Sequence, residues 1–406
     1  MSQYLKDQVD WPQPFPPEEY AERRARTRAA MAAAGIDALY ITAPADLTWL
    51  TNYDMIWYHS RSFTGLLLEA DRDDHGLFFD SPAHTTMVMT TPEIDDVAWF
   101  ARGPVEGTIA TIAETLGGRG LGAGKTVATQ RFASGAHADF ADALRAAIGS
   151  NGALVTDASF LVEGARLVKS PREVAVVREA SAIADAAMSA ARDALRPGIM
   201  ETEIEAVIMG ELMKRGGGYP GIRTMIGSGP RAGTHHSPAQ HRKVKQGELV
   251  FVDFCSSLHR YHVNLNRTFA VGQPDQRWID LMNTSAGCID AIVAGIMPGD
   301  NIFKVHNISD DYTDGNGLRD IMWYNGGYTV GVAIPPDWVG AHKTHPTPEA
   351  PDDRQLETGM VFNLENQFDV WEDWPGGSGA AYIETFLMTD GGLEVLSKLP
   401  RNLVVV

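Results

Sequence analysis

Histidine and carboxylate side chains that could perform acid–base chemistry cluster in the second half of the chain. His235 and His236 lie in the polar segment GTHHSP, Asp253 in ELVFVDFCS, Glu365 in MVFNLENQF and Glu384 in AYIETFLMT. The three carboxylates stand in apolar runs that are typical of strands, where a glutamate needs a functional or structural reason. Because histidine titrates near neutral pH, this set of residue types suits general acid–base catalysis.

A predicted hairpin, formed by ELVFVDFCS and YHVNLNRTFAV, adds a row of polar side chains. Side chains of a strand alternate between its two faces, so His262, Asn264, Asn266 and Thr268 are expected to point the same way. The amide oxygen of Asn264 is a weak ligand for a hard cation and supplies no charge. His259 is three residues from His262 and would face the opposite side, which makes the two a poor metal-binding pair.

Composition limits the class of protein. The chain has 406 residues and a net charge of −18, which permits two domains and argues against nucleic-acid partners and anionic membrane surfaces. Its two cysteines, Cys255 and Cys288, are too few for a disulfide framework. The N-terminus has no signal-peptide pattern and no apolar run reaches 18 residues, so the sequence predicts a cytoplasmic protein.

Two regions differ in their pattern. Residues 1–160 alternate short strand patterns with helical ones, beginning with a helix over 17–34, which predicts an α/β domain. Residues 161–406 start with helices over 169–195 and 196–218 and continue with β-rich runs. They predict an α+β domain with a helix-flanked, mostly antiparallel sheet. The glycine-rich segment 117–126 lacks the spacing of a phosphate loop and predicts no nucleotide cofactor.

Residues 227–272, GSGPRAGTHHSPAQHRKVKQGELVFVDFCSSLHRYHVNLNRTFAVG, resemble the pita-bread hydrolases, the family of methionyl aminopeptidase, prolidase and creatinase. SPREV at the start of the first long helix and LPRNL near the C-terminus are also similar to this family. The resemblance implies a pita-bread catalytic domain with an internal pseudo-twofold, and a creatinase-type N-terminal domain.

In the metal-using members, two aspartates, a histidine and two glutamates hold two cations. Asp253, Glu365 and Glu384 match three of those positions and are expected to converge in one cleft, whereas Asn264 replaces the second aspartate and Tyr328 the histidine. A neutral tyrosine is a poor ligand for zinc or manganese. The resemblance therefore implies no metal cofactor, with one weakly bound cation as the alternative.

Metal-free members suggest other roles for the same positions. His236 matches the general acid–base histidine of creatinase, and Glu365 one of its substrate-binding glutamates, while the other glutamate falls on Asn266. Arg61 resembles an arginine that binds the substrate carboxylate across a dimer interface, which implies a homodimer. HRYH at 259–262 and the GYTVG and PPDW segments resemble ectoine-hydrolase-type members, which open a cyclic amidine carboxylate.

The sequence thus predicts a metal-independent hydrolase of a non-peptide C–N bond in a small zwitterion, of creatinase or ectoine-hydrolase type. The predicted catalytic residues are His236, Glu365, Glu384 and Asp253. The predicted substrate-binding residues are Arg61, Asn264, Asn266, Tyr328, His235 and Phe63.

Two other functions stay open at this point. One is a metal-dependent Xaa-Pro peptidase or a related lyase with an altered site. The other is a catalytically dead pita-bread module that binds proteins. Retention of His236, Glu365, Glu384 and Arg61 together favours an enzyme over a binding module.

Overall fold

The computed structural model describes residues 3–56, 63–100, 105–131, 138–233, 235–346, 354–370 and 374–406. The chain forms two compact units, which meet in sequence at Arg166 and Leu167. The sequence placed this boundary at residue 160. The short helix Leu161–Ala165 nevertheless belongs to the first unit, because it packs against the helix Pro17–Ala33.

The first unit is a sheet covered by helices. Its helices are α1 (Gln3–Lys6), α2 (Pro17–Ala33), α3 (Pro44–Thr51), α4 (Thr85–Met89), α5 (Val105–Gly118), α6 (Ala138–Ser150) and α7 (Leu161–Ala165). Its strands are β1 (Ala38–Ile41), β2 (Gly65–Glu69), β3 (Leu77–Asp80), β4 (Asp96–Trp99), β5 (Thr126–Thr129) and β6 (Leu154–Asp157). A short 3₁₀ turn, Pro82–His84, precedes α4.

Six strands of the first unit form one mixed sheet in the order β4-β3-β2-β1-β5-β6. The pairs β1–β2 and β2–β3 are antiparallel, and the others are parallel. Apolar side chains of α5 and α6 pack on one face of this sheet, around Tyr40, Leu67 and Phe79. The predicted α/β architecture of this region is confirmed.

The second unit contains the remaining helices and strands. Its helices are α8 (Pro171–Ala194), α9 (Glu201–Lys214), α10 (Gln276–Gly295) and α11 (Phe303–Gly315). Its strands are β7 (Met225–Ser228), β8 (Leu249–Leu258), β9 (Tyr261–Ala270), β10 (Met322–Gly326), β11 (Val361–Asp369), β12 (Gly379–Thr389), β13 (Gly392–Val395) and β14 (Val404–Val405). Two 3₁₀ turns, Gly229–Arg231 and Arg319–Ile321, follow β7 and precede β10.

The order of elements in the second unit repeats once. Two helices and three strands, α8-α9-β7-β8-β9, are followed by α10-α11-β10-β11-β12. The sheet runs β10-β11-β12-β9-β8-β7, so the two halves meet at β12 and β9. This symmetric order agrees with the pseudo-twofold that the resemblance implied. The antiparallel character is also as predicted, apart from the parallel pair β14–β9. No helix in the described ranges is long and apolar enough to cross a membrane.

Local sequence explains the first long helix of this unit. The Ser170 hydroxyl caps α8 by accepting a hydrogen bond from the backbone N–H of Glu173. In return, the Glu173 carboxylate accepts a hydrogen bond from the backbone N–H of Ser170. This capping box, with Pro171 at the first helical position, is a strong helix start. The same Glu173 accepts a hydrogen bond from the Tyr261 hydroxyl at 2.6 Å, which joins the helix start to the hairpin.

The hairpin β8–β9 sets the register of the candidate site. His259 and Arg260 form its two-residue turn with φ angles of 49° and 67°, the left-handed conformation that a tight hairpin requires. His259 is thus a turn residue and not the strand residue that the sequence predicted. The turn pairs Asp253 with Asn266 and Cys255 with Asn264 across the two strands.

Candidate active site

Alternation along the strands separates two faces of the second sheet. Asp253 is paired with Asn266, Asn266 with Ile383, and Ile383 with Glu365, so these four side chains share one face. The other face is covered by helices, as shown by the Ser256 hydroxyl, which donates to a backbone carbonyl of α8 at 2.6 Å. The face with Asp253 and Glu365 is free of these helices and carries the candidate site.

A cleft of about 610 Å³ opens over this face. Two acids, Asp253 and Glu365, line its base together with Gln367. His236 lies at its edge. Four aromatic side chains and two basic ones complete the polar and aromatic lining: Trp323, Tyr324, Tyr328, Trp338, Arg223 and Lys343. A cleft with acids below and aromatic rings around them suits an organic cation.

Amide side chains connect the two acids beneath the cleft. Asn264 donates from Nδ2 to Oδ1 of Asp253 at 2.8 Å, and its Oδ1 accepts from Nδ2 of Asn363 at 2.9 Å. The same Nδ2 of Asn363 donates to Oε1 of Glu365 at 3.0 Å, and Gln367 donates to Oε2 of Glu365 at 2.7 Å. We call Asp253, Asn264, Asn363, Glu365 and Gln367 the amide chain. It holds both carboxylates in fixed orientations.

Burial governs the ionisation of the two acids. It raises the pKa of Asp253 well above its usual range, and the negative charge of Glu365 raises it further. Burial also raises the pKa of Glu365 to about 7, although hydrogen bonds from Tyr328 and Asn363 oppose the shift. A carboxyl group that titrates near pH 7 can both donate and accept a proton under ordinary conditions.

Tyr328 stands beside Glu365 as a neutral hydrogen-bond donor. Its hydroxyl accepts a hydrogen bond from the Trp338 indole at 3.0 Å and donates to Glu365. Its backbone N–H donates to Oδ1 of Asn363 at 2.8 Å, which ties it to the amide chain. Burial and the charge of Glu365 raise the pKa of Tyr328 well above its usual value, so the phenol keeps its proton.

His236 is exposed to solvent at the edge of the cleft, with its ring centroid 5.7 Å from that of Trp323. Partial desolvation and then the neighbouring His235 lower the pKa of His236, so its imidazole is mainly neutral at pH 7 and can accept a proton. His235 itself is buried, and its Nε2 lies 3.0 Å from Oδ1 of Asp369. It lines a neighbouring cavity of about 410 Å³ and not the cleft, and its predicted contact with substrate stays a prediction.

The predicted place of Glu384 beside Asp253 and Glu365 is wrong. Glu384 pairs across the strands with Leu364, so it lies on the helix-covered face, where its Oε1 accepts from Nη2 of Arg267 at 2.6 Å. Its neighbour Ile383 occupies the cleft face instead. Because strand side chains alternate, a displacement of one residue transfers a side chain to the other face of the sheet.

Two predicted substrate contacts lie below the cleft surface. Asn264 is buried within the amide chain, and Asn266 is fully buried with its Nδ2 donating to the Val252 carbonyl at 2.9 Å. Neither side chain lines the cleft. In this structure both side chains support the residues above them, and their predicted contact with substrate stays a prediction.

The two predicted contacts from the first unit have different outcomes. Arg61 lies outside the described residues, so its role stays a prediction. Phe63 stacks on Phe140 with 4.2 Å between ring centroids and packs against the apolar core of the first unit. The ring therefore serves packing within the first unit, and its predicted contact with substrate stays a prediction.

The sequence analysis overlooked several residues that line or support the cleft. Asn363 and Gln367 flank Glu365 at two-residue spacing in FNLENQF, and that alternation could have revealed them. Lys343, Trp323 and Trp338 had no comparable signal. Lys343 and Trp338 lie in the long segment between β10 and β11, outside any helix or strand. Strand β10, which carries Trp323, is short and irregular in register.

The donor atoms of the cleft do not fit a pair of divalent cations. Asn264 turns its amide N–H towards Asp253, which occupies a carboxylate lone pair, and its oxygen already accepts from Asn363. Ile383 brings no donor to the face that it shares with Glu365. Within the described part of the chain, no group of three or more histidine, cysteine, aspartate or glutamate residues is arranged to hold a metal ion.

Comparisons with known proteins agree with this architecture. Residues 175–390 match the model of metallopeptidase family M24, and residues 23–168 match the creatinase/prolidase N-terminal domain. Ectoine hydrolase of Halomonas elongata is 27% identical over 97% of this chain and 98% of its own. Xaa-Pro dipeptidase of Pyrococcus furiosus is 26% identical over 55% of this chain and 60% of its own.

Among solved structures, Xaa-Pro dipeptidase from Bacillus anthracis aligns with a TM-score of 0.77 at 23% identity, covering 95% of this chain and 100% of that one. This likeness shows a common fold. Together with the family matches, it confirms the predicted pita-bread family and fold class.

A first prediction concerns Glu384. Replacing it by glutamine leaves the buried Arg267 guanidinium without its carboxylate, and we expect a loss of about 3 kcal/mol in the free energy of unfolding. Turnover at room temperature should be unchanged, because Glu384 lies on the helix-covered face. Urea denaturation and steady-state kinetics measure the two effects. Unchanged stability with lost turnover would return Glu384 to the cleft.

A second prediction concerns the pH dependence of stability. The folded-state pKa of Glu365, about 7, lies above its ordinary value of 4.5, so stability from this group is present below pH 4.5 and lost as the pH rises through 7. We expect E365Q to exceed the wild type by about 3 kcal/mol in unfolding free energy at pH 8, with the difference vanishing near pH 4.

Chemical denaturation at a series of pH values measures this difference. The exposed Glu106, replaced by glutamine, provides the matched control and should follow the wild type at every pH. If the unfolding free energy of E365Q also equals that of the wild type at every pH, ionisation of Glu365 does not destabilise the folded protein.

Proposed function

Because the chain belongs to metallopeptidase family M24 and carries a creatinase/prolidase N-terminal domain, we propose that it is a hydrolase of a non-peptide C–N bond in a small zwitterion. The observation that carries this proposal is the amide chain. Asn264 and Asn363 connect Asp253 and Glu365 by hydrogen bonds, in the place where the metal-using pattern requires charged ligands. We propose that the reaction uses the side chains of the cleft and no metal ion.

The charged residues of the cleft suit a zwitterionic substrate. An amidinium or guanidinium group stabilises the ionised forms of Asp253 and Glu365 and pairs with them, and the surrounding aromatic rings favour a flat cation. Lys343 lines the same cleft, with its Nζ 5.2 Å from the ring centroid of Tyr328, and its positive charge acts on Glu365. In this proposal, Lys343 binds the carboxylate at the other end of the substrate.

The residues support an acid–base mechanism. His236, neutral at pH 7, takes a proton from water as the water oxygen bonds to the amidine carbon. The C–N bond then breaks, and the proton passes from His236 to the leaving nitrogen. Glu365 holds the cationic group meanwhile, and Tyr328 donates a hydrogen bond to Glu365. General acid–base catalysis of this kind contributes roughly 10²–10⁴-fold in rate.

The extent of the similarity favours a non-peptide substrate. The match to ectoine hydrolase runs over nearly the whole of both chains, whereas the match to the Pyrococcus dipeptidase covers about half. The second candidate is a metal-dependent Xaa-Pro peptidase, since Xaa-Pro dipeptidase of Pyrococcus furiosus is also a relative. The solved dipeptidase structure, at 23% identity, supports a common fold and no particular activity.

Assembly and location are part of the proposal. We propose a homodimer, in which Arg61 of one chain joins Lys343 of the other chain in binding the substrate carboxylate, and a cytoplasmic location. Light scattering on the purified protein measures the first of these. A monomer at the concentrations used for turnover would remove Arg61 from the site.

A third prediction tests the reaction class. A screen of ectoine, creatine, other guanidino acids and Xaa-Pro dipeptides, with and without EDTA, should find activity on an amidine or guanidine that persists in EDTA. H236A should lower turnover at least about 100-fold. The exposed His241, replaced by alanine, is the control and should change nothing. Chelator-sensitive cleavage of a dipeptide would establish the second candidate instead.

A fourth prediction tests the polarity of the cleft. K343M should raise KM about tenfold or more for a substrate with a free carboxylate, because a lost charge-assisted contact is worth about 1.5–3 kcal/mol. KM for the corresponding methyl ester should not change. Equal effects on both substrates would show that Lys343 supports the cleft without contacting the carboxylate.

A further inference from the structure

One buried carboxylate binds both ends of the loop that carries His236. Glu201, the first residue of α9, is fully buried. Its Oε1 accepts hydrogen bonds from the backbone and hydroxyl of Ser228 at 2.9 and 2.7 Å, and its Oε2 accepts from the backbone of Gln240 at 2.9 Å. Ser228 precedes the loop and Gln240 follows His236, so both ends of the segment are bound to one side chain.

Arg231 connects this carboxylate to the neighbours of His236. Its Nη1 forms an ion pair with Oε2 of Glu201. Its Nη2 donates to the Ser237 hydroxyl at 2.7 Å and to the Pro238 carbonyl at 2.9 Å. The two residues that follow His236 are therefore held by the same guanidinium. We call Glu201 and Arg231 the loop clasp.

The clasp is built for rigidity. Glu201 lies in the first turn of a helix, where the helix dipole favours a negative charge, and its oxygens have several donors. The planar guanidinium of Arg231 presents its donors in fixed directions, so it restrains the orientation of its partners more than a flexible ammonium would. On the other side of His236, the backbone of Gly233 donates to the Ser378 hydroxyl at 3.0 Å.

We propose that Glu201 and Arg231 are positioning residues, which hold the imidazole of His236 at the edge of the cleft in the orientation that proton transfer needs. This inference rests on the proposed function, in which His236 is the acid–base group. Catalytic geometry is sensitive at this scale, since a displacement of about 1 Å can cost about 10²-fold in rate. Neither clasp residue lines the cleft, so a change in either should spare substrate binding.

The test compares R231M, R231K and E384Q on the substrate found by the screen. We expect R231M to lower kcat about 10- to 100-fold with KM within about threefold. R231K, which keeps the positive charge but not the planar arrangement of donors, should recover part of kcat. E384Q also breaks a buried arginine–glutamate pair, but on the helix-covered face, and should leave kcat unchanged. Equal losses in R231M and E384Q would overturn the proposal, because general destabilisation would then explain both.

A second readout does not depend on turnover. Carbon-13 labelling of histidine, with the His236 signal assigned by its loss in H236A, reports the ring environment and its titration by NMR. In R231M we expect the His236 signal to shift or broaden and its pKa to change, while the signal of the buried His262 stays in place. An unchanged His236 signal in folded R231M would overturn the positioning role. If that signal shifts while H236A keeps full turnover, the clasp stands and the proposed acid–base role of His236 fails.

Discussion

The cost of burying two carboxylates in one sheet face controls the chemistry of this protein. Asp253 and Glu365 are buried, and a buried ionised acid loses hydration energy unless a cation or hydrogen-bond donors replace the water. Asn264, Asn363, Gln367 and Tyr328 supply donors but no positive charge. The negative charge is therefore only partly compensated, and the pKa of each acid stays raised. In the proposed function, a cationic substrate reduces that cost on binding.

Strand alternation decides which residues take part. It gathers Asp253, Asn264 and Glu365 on the open face and places Arg267 and Glu384 on the face under the helices. The two faces thus use the same residue types for opposite purposes. On the covered face, an arginine neutralises a glutamate and stabilises the sheet. On the open face, the acids have only neutral side chains as hydrogen-bond partners in the amide chain, and their pKa values stay raised.

The sequence was sufficient for the architecture but only partly for the site. Capping signals and apolar periodicity identified the long helices, and Pro171 and Ser170 marked the start of α8 within two residues of its observed position. The family resemblance placed Asp253, Tyr328, Glu365 and His236 in one cleft, where the structure has them. Glu384 was misplaced because motif matching tolerates a shift of one residue, whereas a strand does not. Lys343 and Trp323 come from segments whose positions depend on tertiary packing, which no local pattern encodes.

The amide chain has one more consequence, for the exchange of protons. The carboxamide groups of Asn264 and Asn363 do not release or take up protons near neutral pH, so they cannot pass a proton from one acid to the other. Each acid must exchange with solvent through the mouth of the cleft. A cation seated there favours the ionised form of both acids, so its binding is coupled to the release of protons into the solvent. The affinity of such a ligand then rises with pH across the range in which the acids titrate.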